Sequence, residues 1–315
     1  MQKKTKKVAI IGAGSVGSSA AFAMSLNQVA SEVVLIDVAA EKARGEANDI
    51  SHGLCFLGEM DVYSGGYECV KDCDVIVITA GANRKPGETR LDLAKKNVAI
   101  AKVITENIME HYNGGTILVV ANPVDVLTYM ISKWSGLPAG RVLGTGTTLD
   151  SARFRNLLAN KLDVDIKNVH GYIIGEHGDS QVPNWSNTHI AGIQIDTYCK
   201  LNGIKLTDED KDEILEDIKT SGAAIIKDKG VTCYGIAVTI STLTETILKD
   251  SGTIRTVSSV VNAPYGNGDF AFSLPSVIDA HGVKKVLNIE LSEKETELMH
   301  KSAQAIKAVL AEIGE

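Results

Sequence analysis

Four short runs of apolar residues, 8–11, 33–36, 75–82 and 116–120, divide the first half of the chain. Each has strand length, is rich in Val and Ile and runs into Gly, Asp or Asn, the pattern of strands buried on both faces of a parallel sheet. Stretches of helical length separate them: 15–26, dominated by small residues, 39–55, a segment reaching Tyr112, and one that starts near Val124. A further short strand is expected at 61–64. This alternation predicts an α/β fold with a doubly wound parallel sheet over residues 1–144. Beyond about Thr145 the rhythm changes. Residues 147–162 read as helix, 168–183 as an apolar strand entering a turn, 207–230 as a long helix and 231–248 as its helical continuation. Strands at 253–261, 271–275 and 284–290 and a closing helix at 292–313 complete an α+β second domain, 145–315, with a different sheet.

The first strand runs into Gly12, Gly14 and Gly17, which form G-x-G-x-x-G, with Ser15 and Val16 opening the following helix. The first glycine permits a tight turn, the second lets a backbone approach a pyrophosphate, and the third lets helix and strand pack closely. The helix N-terminus then faces phosphate. The second strand ends in Asp37, 20 residues past Gly17, the spacing of an acid that binds a ribose diol. Val38, Ala39 and Ala40 follow it with no arginine to receive a 2′-phosphate, so the cofactor expected is NAD rather than NADP. The first domain is therefore read as Rossmann-type, with ligands bound beyond the carboxyl ends of its strands. Gly81 and Ala82, after the third major strand, fall on that edge and are expected beside the nicotinamide, as is Asn122 after the next.

Composition narrows the class. In 315 residues, 44% are apolar and 23% charged, as in a soluble globular protein. The net charge of −7 argues against nucleic acid or an anionic membrane as partner, and no apolar run is long enough to cross a bilayer. Five cysteines include no C-x-x-C, which suits reduced thiols in the cytoplasm, and seven histidines show no metal-binding spacing, so no metal is expected. The basic start and apolar run of MQKKTKKVAIIGAG resemble a secretory leader, but glycines interrupt the run at the nucleotide-binding spacing, which keeps it in the fold.

The segment 81–97 carries Arg84, Lys85, Glu88 and Arg90 around a Pro-Gly pair, a composition suited to a mobile lid. Within 147–162, Asp150 and Arg153 lie at i and i+3 on one helical face, while Arg155 points elsewhere. His177 sits between Glu176 and Gly178 at a strand end, where an imidazole can titrate in contact with solvent. Tyr129 and Lys133 form Y-x-x-x-K, a spacing also common for a solvated helical pair.

GAGSVG, Asp37, GANRKPGETRLDL, ANPVD, LDSARFR, GYIIGEHGD and KGVTCYGIA occur in the order found in the L-lactate and L-malate dehydrogenase family, over nearly the whole chain, which most resembles the family's bacterial lactate branch. The resemblance implies that His177 donates and accepts the proton with Asp150 as its partner, and that Arg153 binds the substrate carboxylate. It implies further that Arg90 polarises the carbonyl from the closing loop, that Asn122 and Thr232 line the site, and that the chain forms a homotetramer. These residue types suit the chemistry of reducing a 2-oxo acid: an imidazole for the proton, a fork for the carboxylate and a cation for the developing alkoxide.

The substrate stays open between pyruvate/lactate and oxaloacetate/malate. Arg84, six residues before Arg90, resembles the malate branch, where an arginine meets a second carboxylate; glutamine is usual in the lactate branch. Glu88, Thr232 and GEHGDS resemble the lactate branch, with Glu88 placed to neutralise Arg84 or repel a dicarboxylate. Arg155 and His170 stand where fructose 1,6-bisphosphate-activated members carry an arginine and a histidine. On a continuous strand His170 and His177 would face opposite ways, which sets such an effector site apart from the catalytic one. A non-catalytic NAD-binding protein on the same fold is the reading from another class.

Overall fold

The computed structural model describes residues 5–83, 87–262 and 264–314. The expected alternation is present: β1 (Lys7–Ile11), α1 (Ser15–Leu26), β2 (Glu32–Ile36), α2 (Ala40–Gly53), β3 (Asp61–Ser64), β4 (Val75–Ile78), α3 (Arg90–His111), β5 (Thr116–Val119), α4 (Val124–Ser135) and β6 (Val142–Gly144). These six strands pair in parallel in the order β3-β2-β1-β4-β5-β6. Neighbours along a strand point to opposite faces, and here both faces are covered. Val8, Ile10, Val33, Leu35, Val75 and Val77 pack on one side with α1 and α2, and Ala9, Ile11, Val34, Ile36, Ile76 and Ile78 on the other with α3 and α4. Continuous rather than alternating hydrophobicity follows directly from this double burial.

The second half continues with α5 (Thr148–Leu162), β7 (Val169–His170), β8 (Ile173–Ile174), β9 (Val182–Pro183), β10 (His189–Ile190), β11 (Ile193–Gln194), α6 (Ile195–Leu201) and α7 (Asp208–Lys229). It closes with α8 (Tyr234–Leu248), β12 (Thr253–Val260), β13 (Ala271–Asp279), β14 (Gly282–Val286) and α9 (Glu293–Glu312). Three of these strands do not build a different sheet. β12, β13 and β14 join antiparallel to the edge of the parallel sheet through Ser258 opposite Gly144, giving nine strands in one sheet. Short strands β7, β10 and β11 form one small sheet and β8 pairs with β9 in another. The helix expected to continue through 231–248 is interrupted as well: α7 ends at Gly230 and α8 starts at Tyr234, so Thr232 lies on the connector. α8 then packs against α1, with Ala237, Ile240, Leu243 and Ile247 in the same core as the first-half sheet.

Candidate active site

The turns after β1, β4 and β5 meet at one edge of the sheet. Gly12 has φ +107°, and a Cβ there would lie 2.6 Å from the Ala80 nitrogen. A Cβ on Gly17 would lie 1.9 Å from the Gly12 carbonyl, so only glycine lets α1 approach β1 so closely. Beside Gly14 the structure is open, with no atom within 4 Å of where a Cβ would stand. The first turn of α1, which begins at Ser15 and Val16, has neither an acidic residue nor a side-chain cap. Its free N–H groups face that opening and suit a pyrophosphate. Asp37 is fixed at the end of β2, accepting from the Ala13 N–H at 2.7 Å and the Ala39 N–H at 2.9 Å. A carboxylate has about four acceptor sites, so capacity for ribose hydroxyls remains. The residues present therefore fit NAD.

One member of this edge, Asn97, belongs to none of the motifs in the sequence. Asn97 of α3, only 2% exposed, accepts from the Ala82 N–H at 2.7 Å and donates to the carbonyls of Ala82 at 3.2 Å and Asn122 at 2.6 Å. It ties the loop after β4 to the loop after β5, both expected beside the nicotinamide. A polar residue on the apolar side of an amphipathic helix was the available signal. Gly81 leaves room there: a Cβ on it would stand 3.3 Å from Ala121 and 3.5 Å from Asn97.

The second cluster is built on α5. Asp150, in its first turn and 2% exposed, accepts from His177 Nδ1 at 2.6 Å and from Arg153 Nη1 at 3.0 Å. The i, i+3 spacing sets the Arg153 contact, and the β8–β9 hairpin brings His177 from 27 positions away. Three successive amides before and at the histidine are each held by a different element. Gly175 N–H donates to the Ser273 carbonyl at 2.8 Å, Glu176 N–H to Ser302 Oγ at 2.8 Å and His177 N–H to Asp125 Oδ2 at 2.7 Å. Burial alone would lower the imidazole pKa, but the charge and hydrogen bond of Asp150 and the charge of Asp125 outweigh it, against Arg153, and raise the pKa to about 9. Asp150 shows the reciprocal effect: burial would raise its pKa, but His177 and then Arg153 hold it below the ordinary carboxylate range. With Nδ1 engaged, the other ring nitrogen is left for an incoming oxygen. The His177 side chain keeps 30% of its exposure.

Arg90, the first residue of α3, is not drawn to this cluster. The capping box of Thr89 and Asp92 fixes the start of the helix, and the guanidinium makes a two-point ion pair with Asp179, both side chains being 72% exposed. The Asp179 hydrogen bond and charge push the Arg90 pKa further up. Asn122 presents an exposed side chain from the end of β5, and half-buried Thr232 lies on the α7–α8 connector. Arg84 lies outside the described residues, and Glu88 pairs with Lys96 at 3.8 Å.

Arg155 lies on a different face of α5 from Asp150, with Nε donating to the Ser151 carbonyl at 3.4 Å. Burial first, then the charge of Arg255, push its pKa down. His170 is exposed on β7 and paired in register with His189. His170 and His177 do not share the continuous strand expected of them: β7 and β8 are separate short strands in separate sheets, and His177 lies in the loop beyond them. Among the described residues no group of three or more His, Cys, Asp or Glu is placed to hold a metal ion, and no helix is long and apolar enough to cross a membrane.

Comparison with known proteins covers both clusters. Residues 6–144 match the lactate/malate dehydrogenase NAD binding domain, and residues 147–315 match the lactate/malate dehydrogenase alpha/beta C-terminal domain. An L-lactate dehydrogenase of Thermoanaerobacter sp. is 46% identical over 307 residues, spanning 98% of this chain and 99% of the relative. Among solved structures, the minor L-lactate dehydrogenase of Enterococcus mundtii in its ligand-bound form superposes with a TM-score of 0.94 at 42% identity, covering 98% of each chain. The L-lactate dehydrogenase of Clostridium thermocellum gives 0.87 at 58% identity, covering 98% of this chain and all of that one. Matched by both domain models and by relatives over nearly its full length, the chain belongs to the lactate/malate dehydrogenase family and is an NAD-dependent 2-hydroxy acid dehydrogenase.

Proposed function

We propose that the protein is an L-lactate dehydrogenase that interconverts pyruvate and L-lactate, with His177 as proton donor and acceptor. The observation that carries the reading is the single carboxylate of Asp150 shared between His177 at 2.6 Å and Arg153 at 3.0 Å. It sets a proton and a carboxylate receptor side by side. The edge formed by Gly12, Gly14, Gly17, Asp37, Gly81, Ala82 and Asn122 would hold the reduced cofactor, whose nicotinamide would supply the hydride for the carbonyl carbon. His177 delivers its proton to the carbonyl oxygen, and the Asp150 carboxylate stabilises the imidazolium beforehand. Arg153 spends one N–H on Asp150 and offers the rest of its five-donor fork to the substrate carboxylate, which orients as well as attracts. Arg90 leaves Asp179, stands beside the oxygen as negative charge develops and helps exclude water; the pair it gives up is exposed and worth less than about 1 kcal/mol. Asn122 and Thr232 line the pocket.

The names of the relatives support lactate over malate. Arg84 favours a second reading, mixed selectivity that includes oxaloacetate, because its charge matches a second carboxylate. Residues 1–144 and 145–315 serve as cofactor and substrate domains in a cytoplasmic homotetramer. Arg155 and His170 form an effector site for fructose 1,6-bisphosphate; in support, the Arg155 and Arg255 charges oppose each other and α5 packs on β7. Such an anion would relieve that repulsion.

NADH oxidation with pyruvate and oxaloacetate in parallel, with and without fructose 1,6-bisphosphate, tests the substrate and effector together. Pyruvate preference enhanced by the bisphosphate is expected. Oxaloacetate preference without any response transfers the assignment to malate, and Arg84→Gln then reduces oxaloacetate use selectively. His177→Asn is expected to abolish turnover while NADH still binds; an active variant overturns the histidine's role.

A further inference from the structure

Asp125 is a second buried carboxylate beside the histidine, and nothing in the chemistry above uses it. It lies in the first turn of α4, three residues past Asn122, and is 3% exposed. Its Oδ2 accepts the His177 amide at 2.7 Å and its Oδ1 accepts the Ser258 hydroxyl of β12 at 2.6 Å. α4 belongs to the parallel-sheet half of the chain and His177 to the other, so this hydrogen bond crosses between them.

An ionised carboxylate is an expensive way to meet those two donors. Asparagine in the same place would accept the His177 amide through its oxygen and donate to Ser258 Oγ, with no buried charge. What asparagine would not supply is a negative charge facing the imidazole. The charged and titratable groups around the ring are Asp150 and Arg153 from α5, Asp125 from α4 and adjacent Glu176, and those facing Asp125 are His177 and Glu176. Taking the imidazole as the proton donor, as above, we propose that Asp125 is a positioning residue that clamps the His177 peptide to the cofactor-binding half and helps keep the imidazole protonated between turnovers.

The electrostatics agree with this role. Burial pushes the Asp125 carboxyl up to about 6, against the Ser258 and His177 hydrogen bonds, so it is ionised above neutral pH. There it contributes to the raised pKa of His177. The clamp also sets the proton donor at a fixed distance from Asn122, because helix α4 carries the carboxylate and follows directly from the Asn122–Pro123 turn.

The test is a set of pH profiles of pyruvate kcat/KM for the full-length protein and three variants, each with NADH affinity measured by fluorescence. Pyruvate reduction uses protonated His177, so the wild-type profile falls on the alkaline side. Removing an anion lowers the imidazole pKa. Asp125→Asn should therefore retain NADH binding and move the alkaline limb acidward by about one pH unit. Its tenfold loss on the alkaline side should be recovered at low pH. A limb that does not move, or a loss equal at every pH, overturns the proposal, since a merely structural defect is not rescued by protons. Should Asp125→Asn fail to fold, Asp125→Ser provides the reading: it removes the same anion by a smaller polar side chain, and the limb shifts in the same sense. An unmoved limb there overturns the proposal equally. His177→Asn separates the two claims: if it is inactive while Asp125→Asn is unshifted, only the clamp fails, and if it is active the proton-donor reading fails and the clamp with it.

Discussion

Replacing Asp150 by Asn removes one charge and almost no volume at the point where the two active-site cations meet. In the native protein both carboxylate oxygens accept, one from His177 and the other from Arg153. An amide has a single acceptor oxygen, so its NH2 must face one of those donors. Holding the imidazole pKa at about 9 rather than 6.5 favours the imidazolium by about 3 kcal/mol, at about 1.4 kcal/mol per pH unit. Burial, the strongest influence on His177, opposes the proton and exceeds the help given by Asp125, so without Asp150 the pKa should fall to 6.5 or below. At about pH 7.5 the protonated fraction then drops from about 97% to about 9% or less, more than tenfold in pyruvate kcat/KM from protonation alone. The orphaned donor and the freed imidazole orientation take the combined loss to about two to four orders of magnitude. Steady-state pyruvate reduction across the pH range, with NADH affinity as the control for folding, measures both parts. A variant that keeps its alkaline limb near 9 and loses less than about tenfold at pH 7.5 would refute the assignment of the proton to the Asp150 charge.

Other outcomes follow from the same geometry. Gly17→Ala places a Cβ 1.9 Å from the Gly12 carbonyl, both on the backbone, and should destabilise the fold by roughly 1–3 kcal/mol and weaken NADH binding. Denaturant unfolding reads the first effect and fluorescence titration the second; an unchanged midpoint contradicts the close approach. Asn97→Ala leaves a part-buried N–H and two carbonyls without their partner, so a loss of about 1–3 kcal/mol is expected, with weaker NADH binding as the two loops separate. Equal NADH affinity would show that the loops hold their places without it. The folded pKa of His177 lies above its unfolded value, so its contribution to stability is complete below about pH 6.5 and is lost as pH rises through about 9. Unfolding free energies across that window should fall, and should fall less in His177→Asn; identical slopes would remove His177 from the linkage.

The glycine turn, the buried strands and the Asp37 spacing are legible in the sequence because each is a local constraint. A backbone with φ +107°, or a helix so close that a Cβ would stand 1.9 Å from a carbonyl oxygen, can be met only by glycine, and a strand covered on both faces shows itself as unbroken Val and Ile. Asp150 and Arg153 are legible for the same reason, since one helical turn separates them. The roles of His177 and Arg90 came from resemblance to a family, not from local pattern.

Tertiary structure decided everything that depends on partners distant in the chain. The pairing of Ser258 with Gly144, which merges the second-half strands into the first sheet, depends on which edge is left open after β6, and no residue pattern encodes that choice. The break at 230–233 interrupts two apolar stripes whose periodicity reads through it. Asp125, Asn97 and Asp179 look like ordinary helix and turn residues until folding gives them the His177 amide, two loop backbones and the Arg90 guanidinium as partners. Hydrophobic period reports what a segment buries, whereas hydrogen bonds and ion pairs depend on what arrives opposite it. The site's covalent types were therefore present in the sequence, and their electrostatics were created by packing.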